Sequence, residues 1–310
     1  MLPRLLIIGQ HADLHVQSVV ERLKNKFEIY ILDQFVRNDV CLNIDERRLQ
    51  INEKIIDFDE PILIWNRIKL NFSRVKDNRE ETPIEKYVKH EWINFCRSIE
   101  FIFPNCIAFN KNESVYKHEY KSLQLSLARD SGFLIPKSFF ANINPNKLEQ
   151  YAIKPLFSKK YLDKGGMFTE IIDAKYLDIH ADKLSVSPII LQDYVHKASE
   201  LRILATRFGS MGIEILSQES EINRIDWRRS QRLNEYRPYC IDDALQAKIF
   251  TYLKLADLHY GVFDVIINTK GEYVFVECNA DGQWLGYADM AGLKDEFVTR
   301  FVQMVEQIAD

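Results

Sequence analysis

The sequence of 310 residues predicts a mixed α/β protein with an N-terminal α/β unit and a C-terminal region that closes on an antiparallel hairpin. Three observations carry this. Short apolar runs alternate with helix-period segments over residues 1–109. Two apolar runs near the C-terminus, Val262–Ile267 and Tyr273–Val276, flank Asn268-Thr269-Lys270-Gly271, which is hairpin chemistry with a glycine in the turn. A hydrophobic content of 46% supplies core for two or three subdomains.

Composition also excludes function classes. A net charge of −4 gives no basic surface for nucleic acid or anionic membrane, so neither partner is expected. The five cysteines (Cys41, Cys96, Cys106, Cys240, Cys278) are odd in number and widely spaced. That is neither a disulfide framework nor a metal-ligand spacing, and it suits a reducing cytoplasm. No apolar run reaches the length of a membrane span, and Leu5–Ile8 is too short for a signal segment.

In chain order, Leu5–Ile8 reads as a buried strand. Asp13 caps a helix carrying Val16, Val19, Val20 and Leu23 at helical spacing. Glu28–Leu32 and Pro61–Arg67 read as strands, and Asn71–Thr82 as a charged exposed loop. Thr82-Pro83 opens a helix to Arg97. Ile107–Phe109 is a strand that closes the unit. No glycine-rich loop follows the first strand, which argues against a Rossmann dinucleotide site. His11 and His15 stand at i,i+4, a pair more often solvated than metal-bound. One long helix is expected from Glu113 to Ser131, with Tyr116, Tyr120, Leu123 and Leu127 as its stripe and Gly132 as its stop.

Gln150–Pro155 reads as a strand with Lys154 between apolar neighbours, followed by the lysine-rich Ser158–Gly166 loop. Pro188–Leu191 is a strand that runs into Gln192-Asp193-Tyr194-Val195. Glu200 to Leu204 begins another, and Ile222–Arg232 is a basic loop centred on Asp226-Trp227-Arg228. Residues 242–260 form a helix with Leu245, Ile249, Leu253 and Ala256 on one side and Gly261 as its stop. A final helix buries Phe297, Phe301, Met304, Val305 and Ile308.

The hairpin carries the chemistry. Side chains alternate along a strand, so Glu277 and Asn279 share a face. A two-residue turn at Lys270-Gly271 sets Asp264 opposite Glu277; a bulge at Gly271 shifts that register by one. Like charges facing across a ladder are unfavourable. A divalent cation removes the penalty, and three oxygen ligands suit Mg²⁺. The ordinary alternative is a strand-end charge beside a polar loop.

A helical lysine, a strand lysine ending in Lys-Pro, a glycine loop, a strand leading to a hinge, an acid seven positions later and a hairpin closing Asp…Glu-x-Asn make a recognisable order. The chain resembles the ATP-grasp superfamily over residues 105–310. The run from Glu277 to Trp284 (ECNADGQW), with Asp226-Trp227-Arg228 and the helix Lys121–Ala128, is similar to the peptide maturases of microviridins and other graspetides. Trp65-Asn66-Arg67 departs from the arginine-paired version of that branch.

The resemblance implies an α+β ATP-grasp fold: a pre-grasp α/β domain at 1–109, a central lid subdomain at 110–190 and an antiparallel-sheet grasp subdomain at 191–310. It implies ATP and Mg²⁺ as cofactors. Lys121 and Lys154 would bind the phosphates, under a lid of Lys159, Lys160, Lys164, Gly165 and Gly166. Gln192, Asp193, Tyr194 and Val195 would meet the adenine edge, with the register set to within one residue, and Glu200 the ribose. Asp264, Glu277 and Asn279 would hold Mg²⁺. Lys154, Arg202 and Arg228 would spread transition-state charge, with Arg202 and Arg228 facing the transferring phosphate and the substrate carboxylate. Arg224, Arg229 and Arg232 would form a solvated rim, and Trp227 and Trp284 would pack.

The implied reaction turns Asp or Glu side-chain carboxylates of a precursor peptide (leader plus core) into acyl phosphates. Ser or Thr hydroxyls or Lys amines then displace phosphate, giving esters or amides. Positioning and charge neutralisation carry such chemistry rather than a covalent nucleophile. Two alternatives stand beside it: a carboxylate–amine ligase adding an amino acid to a peptide or protein, and a nucleotide-binding module without chemistry. A homodimer is compatible with all three.

Overall fold

The computed structural model describes residues 2–33, 39–68, 81–156 and 168–310. By their contacts the residues form two compact units, 1–115 with 298–310, and 116–297.

The first unit is built on a parallel sheet. β1 (Arg4–Ile8), β2 (Glu28–Leu32), β6 (Ile62–Asn66) and β7 (Cys106–Ala108) lie in the order β2-β1-β6-β7. Apart from Arg4 and Asn66 at their ends, β1 and β6 are apolar throughout, because strands of this kind are covered on both faces. α1 (Leu14–Leu23) starts as expected, with the Asp13 carboxylate accepting from the His15 backbone. The same carboxylate accepts from Arg67 Nε at 2.7 Å. α2 (Pro83–Ile102) opens on a full capping box between Thr82 and Glu85, and it runs past the expected end at Arg97. The strands β3 (Val40–Asn43), β4 (Arg48–Ile51) and β5 (Lys54–Asp57) form an unexpected antiparallel meander. Its turns place Arg47 and Asn52 at φ 55°, so no glycine marks them in the sequence. From the C-terminal helix, Phe301 packs on Trp65 at 4.9 Å. The loop expected at Asn71–Thr82 lies almost wholly outside the described residues.

The second unit carries two antiparallel sheets. β8 (Ser138–Ala141), β9 (Gln150–Lys154), β10 (Glu170–Asp173) and β11 (Ile189–Gln192) order as β10-β9-β11-β8, with α5 (Ala174–Ile179) and α6 (Ala181–Leu184) between β10 and β11 in the chain. β12 (Lys197–Thr206), β13 (Gly209–Ile215), β14 (Tyr236–Tyr239), β15 (Tyr260–Asn268) and β16 (Tyr273–Asn279) order as β14-β13-β12-β15-β16. α8 (Leu285–Met290) and α9 (Lys294–Ala309) end the chain, and Phe297 stacks on Trp284.

Two expectations are corrected. The helix expected over Glu113–Ser131 is split into α3 (Asn112–Lys117) and α4 (Lys121–Asp130). The break shifts the helical phase, so Tyr116 and Tyr120 are exposed while Gln124, Leu125 and Ala128 are buried. Gln124 stabilises the break through its amide: Nε2 donates to the His118 carbonyl and Oε1 accepts from Cys278 N at 3.0 Å. The helix expected to stop at Gly261 is α7 (Asp243–Leu255), and Gly261 lies inside β15. The stop is Asp257 at φ 50°, with Asp257 N bonded to Lys254 O and Leu258 N to Leu253 O. That is a Schellman end with aspartate in the left-handed position where glycine is usual.

Candidate functional site

The hairpin sets Asp264 opposite Glu277 by a route other than a two-residue turn. Gly271 (φ 78°) forms the turn, and Ile267 pairs with Tyr273, Ile266 with Val274 and Val265 with Phe275. This is the register of the bulged turn. A second irregularity at Val276 then shifts the ladder back, so Asp264 pairs with Glu277. Bulges of this kind re-aim side chains.

On the neighbouring strand Arg202 pairs with Asp264. Side chains opposite one another share a face, so Arg202, Asp264 and Glu277 form a row across β12, β15 and β16. Arg202 Nη1 donates to Asp264 Oδ1 at 2.7 Å and Nη2 to the Gln283 carbonyl at 2.7 Å. Its guanidinium carbon lies 5.3 Å from the centre of the Tyr287 ring. The Gly-Gln-Trp segment thus holds Arg202 through a backbone oxygen. Gly282 is needed there because a Cβ would come within 2.7 Å of Val262 Cβ. Trp284 is fully buried packing, as expected.

Each carboxylate has a cation. Lys121, first residue of α4, forms an ion pair with Glu277 Oε2, and Asn279 Nδ2 donates to Glu277 Oε1 at 2.9 Å. Burial favours the neutral form of Glu277, but Lys121 and the Asn279 hydrogen bond outweigh it and hold the carboxyl well below the usual range. Asp264 is pushed upward, by burial and by Glu277 beside it, against the pull of Arg202.

Lys154, at the end of β9, faces the same region. A cleft of ≈ 840 Å³ is lined by Lys154, Gln192, Glu200, Arg228, Asp264 and Glu277, with Asp193, Tyr194 and Val195 along it. An adjoining one of ≈ 530 Å³ adds Lys121 and shares Lys154, Gln192, Arg228 and Glu277. Among the described residues no carboxylate forms an ion pair with Lys154. Burial lowers its pKa to about 8, opposed by the charge of Glu277 and reinforced by Lys121 and Arg228. A buried ammonium without a partner is unfavourable until an anion arrives.

The Asp226-Trp227-Arg228 segment forms a clamp. Arg228 meets Asp226 with two hydrogen bonds, at 2.8 and 2.6 Å. Burial alone would raise the Asp226 pKa; the hydrogen bond and charge of Arg228 override it and bring the value to about 2. Asp226 Oδ2 also accepts from Thr169 N at 3.0 Å, and Arg229 donates to Thr169 O and Glu170 Oε1 at 3.0 and 2.6 Å. Arg229 is therefore a tie to β10 rather than a solvated rim residue, while Arg224 and Arg232 are exposed.

The expected hinge follows β11. Asp193 N bonds to Lys137 O at 2.8 Å. The Asp193 carbonyl and the N–H groups of Tyr194 and Val195 make no backbone hydrogen bond among the described residues. Burial raises the Tyr194 pKa. Glu200 is buried, and its pKa is raised by that burial against the pull of Lys197 and Ser217. Lys197 donates to its Oε1 at 2.5 Å and Ser217 to its Oε2.

The structure brings together Lys121, Lys154, Gln192–Val195, Glu200, Arg228, Asp264 and Glu277. Asn279 reaches the group through Glu277, and Arg202 through Asp264; neither lines the cavities. Gly165 and Gly166, with Lys159, Lys160 and Lys164, lie outside the described residues. His11 and His15 sit in the other unit, each bonded to an aspartate, Asp33 and Asp13, at 3.0 and 2.9 Å; His15 is buried rather than solvated.

Sequence reasoning missed Gln124, Lys197 and Tyr287. Lys197 and Glu200 stand three apart, which puts strand side chains on opposite faces. A bulge between Lys197 and Ser199 reverses that parity, and no turn residue announces it.

The donor set fits a hard divalent cation. Asp264 and Glu277 are cross-strand partners, and Asn279, which donates through Nδ2, leaves its amide oxygen open to a cation. Among the described residues no cluster of three or more His, Cys, Asp or Glu side chains forms a closed metal site. Two carboxylates and an amide leave positions for phosphate oxygens and water, as Mg²⁺ prefers.

No protein-family model matches the sequence, and no curated protein matches it. Solved structures do. A RiPP-associated ATP-grasp ligase of Chryseobacterium gregarium, in complex with ADP and a leader and core peptide, superposes at TM-score 0.84 with 21% identity, covering 99% of this chain and 97% of that one. The macrocyclase MdnC of Microcystis aeruginosa MRC, bound with precursor peptide MdnA, gives 0.80 at 18% identity over 99% and 100%. The ATP-grasp ligase PsnB, complexed with minimal precursor, Mg and ADP, gives 0.73 at 19% over 97% of each. The chain therefore has the ATP-grasp ligase fold.

Proposed function

We propose that this chain is an ATP-dependent peptide macrocyclase. It would activate Asp or Glu side chains of a ribosomal precursor peptide and join them to Ser or Thr hydroxyls or Lys amines. The observation that carries the reading is Lys154, an ammonium without a carboxylate partner in the same cleft as Glu277. The leader, core and precursor peptides bound to the similar ligases support a peptide as substrate.

In this reading Lys121 and Lys154 hold phosphate oxygens, and Asp193 to Val195 offer free peptide groups to the base. Glu200, fixed by Lys197 and Ser217, faces the ribose. Asp264, Glu277 and Asn279 hold Mg²⁺, which neutralises phosphate charge. ATP supplies the phosphoryl group that makes a carboxylate reactive. Arg228 is held by Asp226 with 41% of its side chain exposed, so it is available to a substrate carboxylate. Arg202 acts through Asp264, setting that carboxylate's charge. The division into pre-grasp, lid and grasp parts at 1–109, 110–190 and 191–310 belongs to the same proposal, as do the peptide partner, a possible homodimer and a cytoplasmic setting. Among the described residues no helix is long and apolar enough to cross a membrane.

The test is mass spectrometry of a candidate precursor after incubation with the protein, Mg²⁺ and ATP. A product lighter by one water per bond is expected. A gain equal to an added amino acid selects the amino-acid ligase instead. Nucleotide binding without ATP consumption, for any peptide offered, selects the non-catalytic module.

A further inference from the structure

Gln192 ends β11 in direct register with Ser138 on β8. Gln192 as a residue is 4% exposed, and it lines both cavities. Gln192 Nε2 donates to Ser138 Oγ at 2.8 Å, and Ser138 Oγ donates to the Pro136 carbonyl at 2.6 Å. The chain of bonds has one direction. A carbonyl oxygen carries no proton, so a contact of 2.6 Å to Pro136 consumes the single proton of the Ser138 hydroxyl. Ser138 Oγ is then an acceptor toward Gln192, and only the NH₂ end of the amide can face it. Oε1 is left without a partner among the described residues.

We propose that Ser138 is a specificity-positioning residue: it locks the Gln192 amide so that only an acceptor faces the nucleobase, selecting a 6-amino purine over a 6-oxo purine. The inference rests on the nucleotide reading of this cleft. The 6-amino group of adenine donates to Oε1. The 6-oxo group of hypoxanthine or guanine sets an acceptor against an acceptor. An amide free to turn over would present NH₂ to an oxo group and lose the distinction. A buried polar group left unmatched in this way costs at least about fivefold in affinity.

The experiment measures binding of ATP and ITP, each with Mg²⁺, by titration calorimetry. The proteins are wild type, Ser138→Ala, Ser138→Thr and the double variant Ser138→Ala with Gln192→Glu. Wild type is expected to prefer ATP by at least about fivefold. Ser138→Ala should bring the ATP/ITP ratio toward one, chiefly by improving ITP, whereas Ser138→Thr keeps the hydroxyl and the ratio. The double variant should restore the preference, because a carboxylate offers no donor in either orientation. A Ser138→Ala protein that binds nucleotide with the wild-type ratio overturns the inference and leaves the cleft assignment standing. A wild type that binds neither nucleotide overturns the cleft assignment itself. Should Ser138→Ala not fold, Ser138→Val decides, since it matches the threonine variant in shape but lacks the hydroxyl: an ATP/ITP ratio near one supports the inference, and the wild-type ratio rejects it.

Discussion

Lys154 shows how a single side chain records a missing partner. Its ordinary pKa of 10.5 falls to about 8 in the fold through burial. Between those values the unfolded chain binds more protons than the folded one, so this residue's penalty is full below about pH 8 and fades toward pH 10.5. Lys154→Met should raise the Tm at pH 7 by roughly 3 °C per kcal/mol relieved, and it should abolish nucleotide binding. The Tm gap to wild type should close as pH rises through that window, and a constant gap would mean the ammonium is not strained. Glu277 behaves oppositely, since Lys121 and Asn279 hold it ionised. Glu277→Ala should leave the fold intact, because Lys121 keeps 22% of its side chain exposed to solvent. It should also remove Mg²⁺-ATP turnover; a folded variant that turns over normally removes Glu277 from the metal assignment.

At the scale of elements, the site depends on irregularities in otherwise regular strands. The bulge at Val276 restores the pairing of Asp264 with Glu277, and the one between Lys197 and Ser199 turns Lys197 toward Glu200. The close approach of the Gly282 loop to Val262 keeps the Gln283 carbonyl on Arg202. Gly282→Ala forces a Cβ to 2.7 Å from backbone-linked carbon, and it should cost about 1–3 kcal/mol by thermal or denaturant unfolding. Thr82→Ala tests a local device in the other unit. Loss of the capping box with Glu85 should cost about 1 kcal/mol without touching nucleotide binding.

For the whole molecule, the carboxylates of the candidate metal site are paired by Lys121 and Arg202, so folding does not wait for a cation. Without nucleotide, EDTA and Mg²⁺ should give the same Tm. ATP with Mg²⁺ should raise it by mass action, and ATP with EDTA should raise it less. A drop in EDTA alone would assign the metal a structural role. Much of this architecture was legible beforehand: β1, β2, β6, β9, β11 and the terminal hairpin announce themselves as apolar runs bounded by turn residues. Of the candidates Lys154, Glu200, Arg202, Asp264, Glu277 and Asn279, four line one cleft, while Arg202 and Asn279 reach it through Asp264 and Glu277. The β3–β5 meander was not legible, because Arg47 and Asn52 take the left-handed turn positions where glycine would have been a signal. The break between α3 and α4 was not legible either, because the His118 carbonyl there is satisfied by Gln124 from within the next helix. Periodicity and turn chemistry are local properties, and through them the sequence alone determined the type of the strongly patterned elements, the pairing of β15 with β16 and the inventory of charged groups. Which cation meets which carboxylate, and which face a bulged strand presents, depend on residues far apart in the chain and on single-residue shifts of parity, so only the tertiary structure decided them.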